Sequence, residues 1–395
     1  MGKLLKIILG LVVLLIAIIV IAAIVLPMVV DPNDYKAEIA ATDEEQTGRT
    51  LSIEGDLSLS VFPWLGLDIG PTQISNATGF DATYMARMET VQVRVKLLPL
   101  LRKQLEVDTL RLTGLRLNLG KDKQGQTNWA DIIAHQEKDA EEEQDTGGGS
   151  DETGDKPAGQ ALDRLAIGGI EVSDAQLRWD DRSTDSRYDI NELSFTTGAI
   201  EPGEAFDLDL RFQVAATQPP VSGRFELGGD ILLAAGLDAV TVTAATFALD
   251  LKGEGVPGGN LQAAMTTNAS VDLAAQTLSL SDMKLEAAGV NIGGHVDGTA
   301  ITGADPQFNG VLTIAEFAPR ELLQALGQDI PGTADSAVLN KADASLTWDA
   351  SLQHFAATAL TLHLDDSTLE GNARVDGFEA PAITFTMALD RIDLD

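Results

Sequence analysis

Four histidines and a few close-set aspartates are the side chains here whose types and spacing could do chemistry. His354 and His363 stand nine residues apart across an expected turn, with Asp365 and Asp366 beside the second. Two imidazoles with neighbouring carboxylates are a ligand set for a metal ion, so a turn that closed them together would make a metal centre. The expected reading is the plainer one, a coincidence of surface residues that binds nothing. Asp180, Asp181 and Asp185 could form a carboxylate cluster, but a solvated turn is the default in so acidic a chain. His135 and His295 lie far from the other pair. The sequence has no Gly-x-Ser-x-Gly elbow, phosphate-binding loop, His-Glu-x-x-His pair or EF-hand loop. The run from Gly147 to Asp155 lacks the nonapeptide spacing of calcium-binding β-rolls. No catalytic, cofactor-binding or metal residue is assigned, and the chain is not expected to be an enzyme.

Composition narrows the field further. Sixty acidic against twenty-seven basic residues give a formal charge of −33, which repels nucleic acid and anionic headgroups alike. Any lipid contact must therefore be apolar. There is no cysteine, so disulfides, thiol catalysis and Cys-ligated zinc are excluded. Stability has to come from burial and backbone pairing.

The elements that must position any site begin with a membrane anchor. From Ile7 to Val30 the chain carries no charge, with Lys3 and Lys6 before it and Asp31 after it. At 1.5 Å per residue a helix over this run is about 36 Å long, enough to cross a hydrocarbon core of roughly 30 Å with some tilt. Leu11, Leu14, Ile18, Ile21 and Val25 form its core. The lysines hold the N-terminus in the cytoplasm and send the rest across the membrane. A cleaved signal peptide is the rival, but Ala22-Ala23 followed by Ile24-Val25-Leu26 is a poor cleavage site. Asp31-Pro32 then caps a short helix that Gly48 stops in the left-handed conformation.

From Leu51 the apolar period changes to two. Leu57, Leu59 and Val61, then Val91, Val93 and Val95, alternate with polar residues. At Thr113-Gly114 the apolar parity flips from Leu110 and Leu112 to Leu115, Leu117 and Leu119, as at a β-bulge. One apolar and one wet face predict antiparallel sheet. Glu137 to Lys156 carries nine acidic and two basic residues with a Gly-Gly-Gly-Ser run, and predicts a disordered linker at 136–160. Strand signals resume at Leu165, with a helical segment at 318–327. The organisation expected is an anchor at 1–30, an N-terminal region at 31–135, the linker, and a repeat-like β region at 161–395. The repeat rests on Leu278-Ser279-Leu280 with Val296-Asp297-Gly298, echoed by Leu360-Thr361-Leu362 with Val375-Asp376-Gly377.

Several segments in a fixed order resemble the AsmA family of envelope proteins. They are Asp31-Pro32-Asn33-Asp34-Tyr35, Thr47-Gly48-Arg49, Gly55 to Leu67, Val93 to Leu101, Leu115 to Leu119, Gly125-Gln126-Thr127-Asn128-Trp129 and Asp366 to Gly371. The resemblance implies a single-pass protein of the bacterial inner membrane whose body lies in the periplasm. It implies a mostly β fold: a long curved antiparallel sheet, an open trough with an apolar inner face. It also implies a part in moving phospholipid towards the outer membrane and in envelope biogenesis, with no catalytic residues to carry over. Family members usually run longer, so a short member or an N-terminal part is expected.

Alternation alone leaves the architecture open. From the residues, β-sandwich domains with these faces as their cores are favoured, because large exposed apolar faces are rare. With the resemblance the trough leads, and Leu117, Phe212, Leu249, Leu362 and Phe385 become candidate lining residues for phospholipid acyl chains. The alternative function is a non-enzymatic scaffold for outer-membrane protein assembly, with an envelope protein as partner. A hydrolase, distant third, needs His354, His363 and the aspartates in one cleft.

Overall fold

A computed structural model describes residues 31–61, 64–96, 99, 106–133, 166–332 and 338–391. The anchor expected at 7–30, with Leu11, Leu14, Ile18, Ile21 and Val25, and the linker expected at 136–160 lie outside the described residues. Among the described residues no helix is long and apolar enough to cross a membrane. The chain divides into two compact units, Met1–Ile200 and Glu201–Asp395.

The first unit opens on the Asp31 cap. Its Oδ1 accepts from the Asn33 backbone N–H at 2.9 Å and starts a three-ten turn, Pro32–Tyr35, rather than the α-helix expected there. Helix α1, Lys36–Thr47, follows and ends at Gly48, whose φ is +66° as the sequence requires. Asn33 then does something its position did not announce. Its Oδ1 accepts from the Leu57 N–H at 2.9 Å while its Nδ2 donates to the Leu57 carbonyl at 3.0 Å, which clamps the turn to the sheet.

That sheet contains β1 Leu51–Ile53, β2 Leu57–Ser60, β3 Trp64–Ile69, β4 Thr72–Ser75, β5 Tyr84–Met88 and β6 Thr90–Lys96. It continues with β7 Glu106–Val107, β8 Leu110–Thr113, β9 Arg116–Lys121, β10 Ala166–Ile167, β11 Ile170–Asp181 and β12 Ser186–Thr197. Strands β8 and β9 are two halves of one path broken at Gly114 (φ +66°), where a Cβ would stand 2.5 Å from the Glu89 side chain. The parity flip at Thr113-Gly114, expected as a β-bulge, is instead a break between two strands. The sheet forks there: β8 has β6 as a neighbour, and β9 has β5.

The expectation of a wholly antiparallel sheet needs correction here. Strand β11 runs parallel to both β8 and β9, and β10 runs parallel to β7. Parallel pairing needs a crossover of roughly a dozen residues or more. The stretch from Asp122 to Gly169 is far longer than that. β10–β12 belong with the first unit, which ends at Ile200.

The second unit is a meander. Its strands are β13 Ala205–Thr217, β14 Pro220–Leu233, β15 Ala239–Gly253, β16 Asn260–Asp272, β17 Thr277–Ala287 and β18 Val290–Thr299. They are followed by β19 Gln307–Phe317, helix α2 Pro319–Ala325, β20 Ala342–Ala350, β21 His354–Leu364, β22 Ser367–Asp376 and β23 Ala382–Leu389. Each strand pairs antiparallel with the next. Bulges interrupt successive pairs and bend the strands. Ala244 and Asp282 take φ +50° and +52° at two of them. Asn268 braces both, accepting from the Ala244 N–H at 2.9 Å and donating to Asp282 at 3.0 Å. The two echoed segments fall on β17–β18 and β21–β22 in different registers: Val296 lies opposite Leu280, but Val375 lies opposite Phe355.

Candidate functional site

Register carries the apolar positions of the second unit across every strand. From Leu210 the directly opposed residues are Leu227, Phe247, Met265, Leu285 and Ile292. The same file continues through Ile314, Ala344, Leu362, Leu369 and Leu389. Opposed residues of neighbouring strands project from one face, so eleven strands line up eleven apolar side chains over about 48 Å, at roughly 4.8 Å per strand. A second file on that face runs Leu280, Val296, Gly310, Trp348, Ala357, Ala373, Phe385. The other face carries Arg211, Glu226, Glu286, Asn291, Thr313, Ser345 and Glu370.

Nothing among the described residues of this unit covers the apolar face as a second sheet would. Its strands meet their neighbours in the sheet, and α2 lies against the Pro257–Gly259 turn beside β16. Phe385 is 70 % exposed, Ile383 63 %, and Phe355, Leu227 and Leu389 are exposed as well. A sandwich core would bury such side chains almost completely. The one-layer arrangement thus decides against the sandwich for this unit.

Four of the five residues expected to line a groove share this face. Phe212 stacks on Phe225 at 5.0 Å between ring centres, Leu249 lies opposite Phe225, Leu362 is in the long file, and Phe385 lies opposite Ala373. Leu117 belongs to the first unit, in a shorter apolar file of Ala86, Leu117, Leu177 and Ile190.

The residues weighed for chemistry are not brought together. His354 and His363 sit at the two ends of one strand, β21, with no turn between them, about 30 Å apart at roughly 3.3 Å per residue. His363 Nδ1 meets Asp343 Oδ2 at 2.8 Å, and that bond, with the aspartate's charge, raises the imidazole above its ordinary pKa. His354 lies between Asp349 (2.7 Å) and Ser351 (2.9 Å), a Ser-His-Asp series by composition. Ser351 Oγ also accepts from the Gln353 N–H at 3.1 Å, so the group closes a hairpin. Asp365 binds the N–H groups of Leu339, Asn340 and Lys341. Burial alone would raise its carboxyl, but those bonds outweigh it and hold the group below the usual range. Asp181 ties the turn through Ser183 and Lys121, and Asp180 lies near Arg182 and Arg187. Among the described residues no His, Cys, Asp and Glu group could hold a metal ion.

Sequence reasoning missed one polar centre, in the first unit. Arg49 is almost fully buried and reaches Asp131 through Nε (2.8 Å) and Nη2 (2.5 Å) while donating to the Asn128 and Ser75 carbonyls. Asn128, 0 % exposed, accepts from the Gly120 N–H and donates to Asn76 and the Asn118 carbonyl. The signal was present: Thr47-Gly48-Arg49 and Thr127-Asn128-Trp129 were both conspicuous, without any hint that they touch. Trp129 also packs on Trp179 at 5.6 Å.

A family model described as AsmA family matches residues 1–376. The chain belongs to the AsmA family. AsmA proteins are in general envelope proteins concerned with envelope biogenesis and lipid transfer, and in general are not enzymes. The match spans both units and ends with β22, at Asp376. No curated protein and no solved structure matched the chain.

Proposed function

We propose that this AsmA protein is held in the bacterial inner membrane by residues 7–30 and offers, in the periplasm, an apolar surface along which phospholipid acyl chains pass towards the outer membrane. The observation that carries the reading is the uncovered apolar file from Leu210 to Leu389. Exposing the roughly thirty methylenes of a two-chain lipid to water costs about 0.8 kcal/mol each, a barrier on the order of 20 kcal/mol. An uncovered strip of Leu, Ile, Phe and Met removes much of that cost without a specific headgroup site. The strongly acidic chain fits contact through acyl chains rather than through attraction of anionic headgroups. Phe212, Leu249, Leu362 and Phe385 are proposed as lining residues, with Leu117 on the first unit's own file.

Photo-crosslinkers placed at Leu249 and Leu362 of the full chain in cells test this. The expected product is phospholipid on both, and none from Thr361 on the opposite face. Equal labelling of the two faces, or protein adducts alone, would reject it.

A scaffold in outer-membrane protein assembly is the second reading, and β23 favours it. Among the described residues β23 pairs only with β22, and it carries no charge from Ala382 to Leu389. Such an edge can accept a partner strand. The scaffold reading expects a filled apolar face, so the lipid reading leads.

A further inference from the structure

We infer that the side of helix α1 bearing Tyr35 and Ile39 is seated in the interface of the bilayer that holds the anchor. The inference rests on the anchor reading above and adds to it the attitude of the body at the membrane. Tyr35 ends the three-ten turn and Ile39 follows one helical turn later, so the two stack along one side. They are 51 % and 42 % exposed. The neighbouring Lys36, Ala40, Asp43 and Thr47 are the half-buried residues that turn towards the protein. An aliphatic side chain suits the acyl boundary and a tyrosine the headgroup level, where its ring is half wet.

The chain preceding the helix says what covers this pair. The uncharged run ends at Val30, and the five residues on to Tyr35 reach at most about 18 Å. Tyr35 therefore cannot stray far from the surface in which Val30 lies. Asp31, Asp34 and Glu38 surround the pair, so the lipids it meets are zwitterionic rather than anionic. The seat is also stiff. Asn33 clamps the turn to Leu57 with two hydrogen bonds, and Lys36 lies 3.7 Å from Asp56. A helix seated in the interface would thus fix the attitude of the first unit's sheet, instead of letting it swing on a tether.

The absence of native cysteine makes a clean test possible. Full-length Tyr35→Cys, Ile39→Cys, Glu45→Cys and Ile18→Cys variants each carry one environment-sensitive fluorophore in phosphatidylcholine vesicles, with nitroxide on the acyl chains near the glycerol for labels at 35, 39 and 45 and near the chain end for the label at 18. Labels at 35 and 39 are expected to lose fluorescence to the nitroxide, while the label at 45, on exposed α1, keeps it. Labels at 35 and 39 that behave like the one at 45 overturn the inference. So does shielding from a water-soluble quencher without nitroxide quenching, the mark of a protein on this face. The label at 18 separates the two ideas: quenched at 18 but not at 35 and 39, the anchor stands and the seat falls.

Discussion

Arg49 and Asp131, eighty-two residues apart, form a two-bonded ion pair in which the guanidinium is buried and the carboxylate is half in solvent. The pair joins the residue after the stop of α1 to the helical turn at 130–133, and it shares Arg49 with the Asn128 and Ser75 carbonyls. Burial falls unequally on its two members, so the two substitutions should not be equivalent.

Replacing Arg49 by alanine strips partners from several buried groups at once and is expected to cost about 3 kcal/mol, within the range for breaking a buried pair. Asp131→Asn keeps the shape and should cost about 1 kcal/mol or less, because the carboxylate is screened. Urea unfolding followed by tryptophan fluorescence distinguishes the two; equal losses would contradict this account. Burial raises the Asp131 carboxyl, but Arg49's hydrogen bonds and charge outweigh it, and the group lies below the usual range. Its contribution is therefore complete above about pH 3.9. It is lost as pH falls through the lower native value.

An open face predicts unusual tolerance. A Phe→Ala change in a packed core costs about 3–5 kcal/mol, but at the largely exposed Phe385 it should cost under about 1 kcal/mol. A core-sized loss would mean that something covers this face in solution. Leu362→Asp should likewise leave the protein folded, by circular dichroism, yet abolish lipid crosslinking from Leu249 on the same face. Thr361→Asp, on the opposite face, should leave that crosslinking intact.

The bulge at Ala244 holds an alanine at φ +50°. Glycine relieves the Cβ clash but adds unfolded-state freedom, so Ala244→Gly is expected to gain about 0.5 kcal/mol net. Ala244→Val, β-branched in the same conformation, should lose about 1 kcal/mol or more. Thermal unfolding of the two variants should therefore move in opposite directions from the parent.

His363 provides a second pH-dependent contact. The Asp343 bond and charge raise its pKa, so the protonated pair contributes fully below about pH 6.5. That contribution fades as pH rises through the elevated native value. NMR titration should place His363 lower in Asp343→Asn than in the parent; an unchanged midpoint would remove Asp343 as the cause.

The sequence by itself determined what nearest neighbours decide. Asp31 capped its turn, Gly48 stopped α1, Gly114 broke a strand, and the period of two assigned Phe212, Leu249, Leu362 and Phe385 to the apolar sides of their strands. These follow from dihedral preference and from alternation along a single strand, both of which are local. Tertiary structure alone decided that β11 runs parallel to β8 and β9, and that His354 and His363 stand at opposite ends of one strand. It also joined Arg49 to Asp131 across the first unit. Above all it left the face from Leu210 to Leu389 without a second layer. A dry core and an oily open wall are written with the same alternating residues, because alternation records which side a residue takes and not what, if anything, lies across from it.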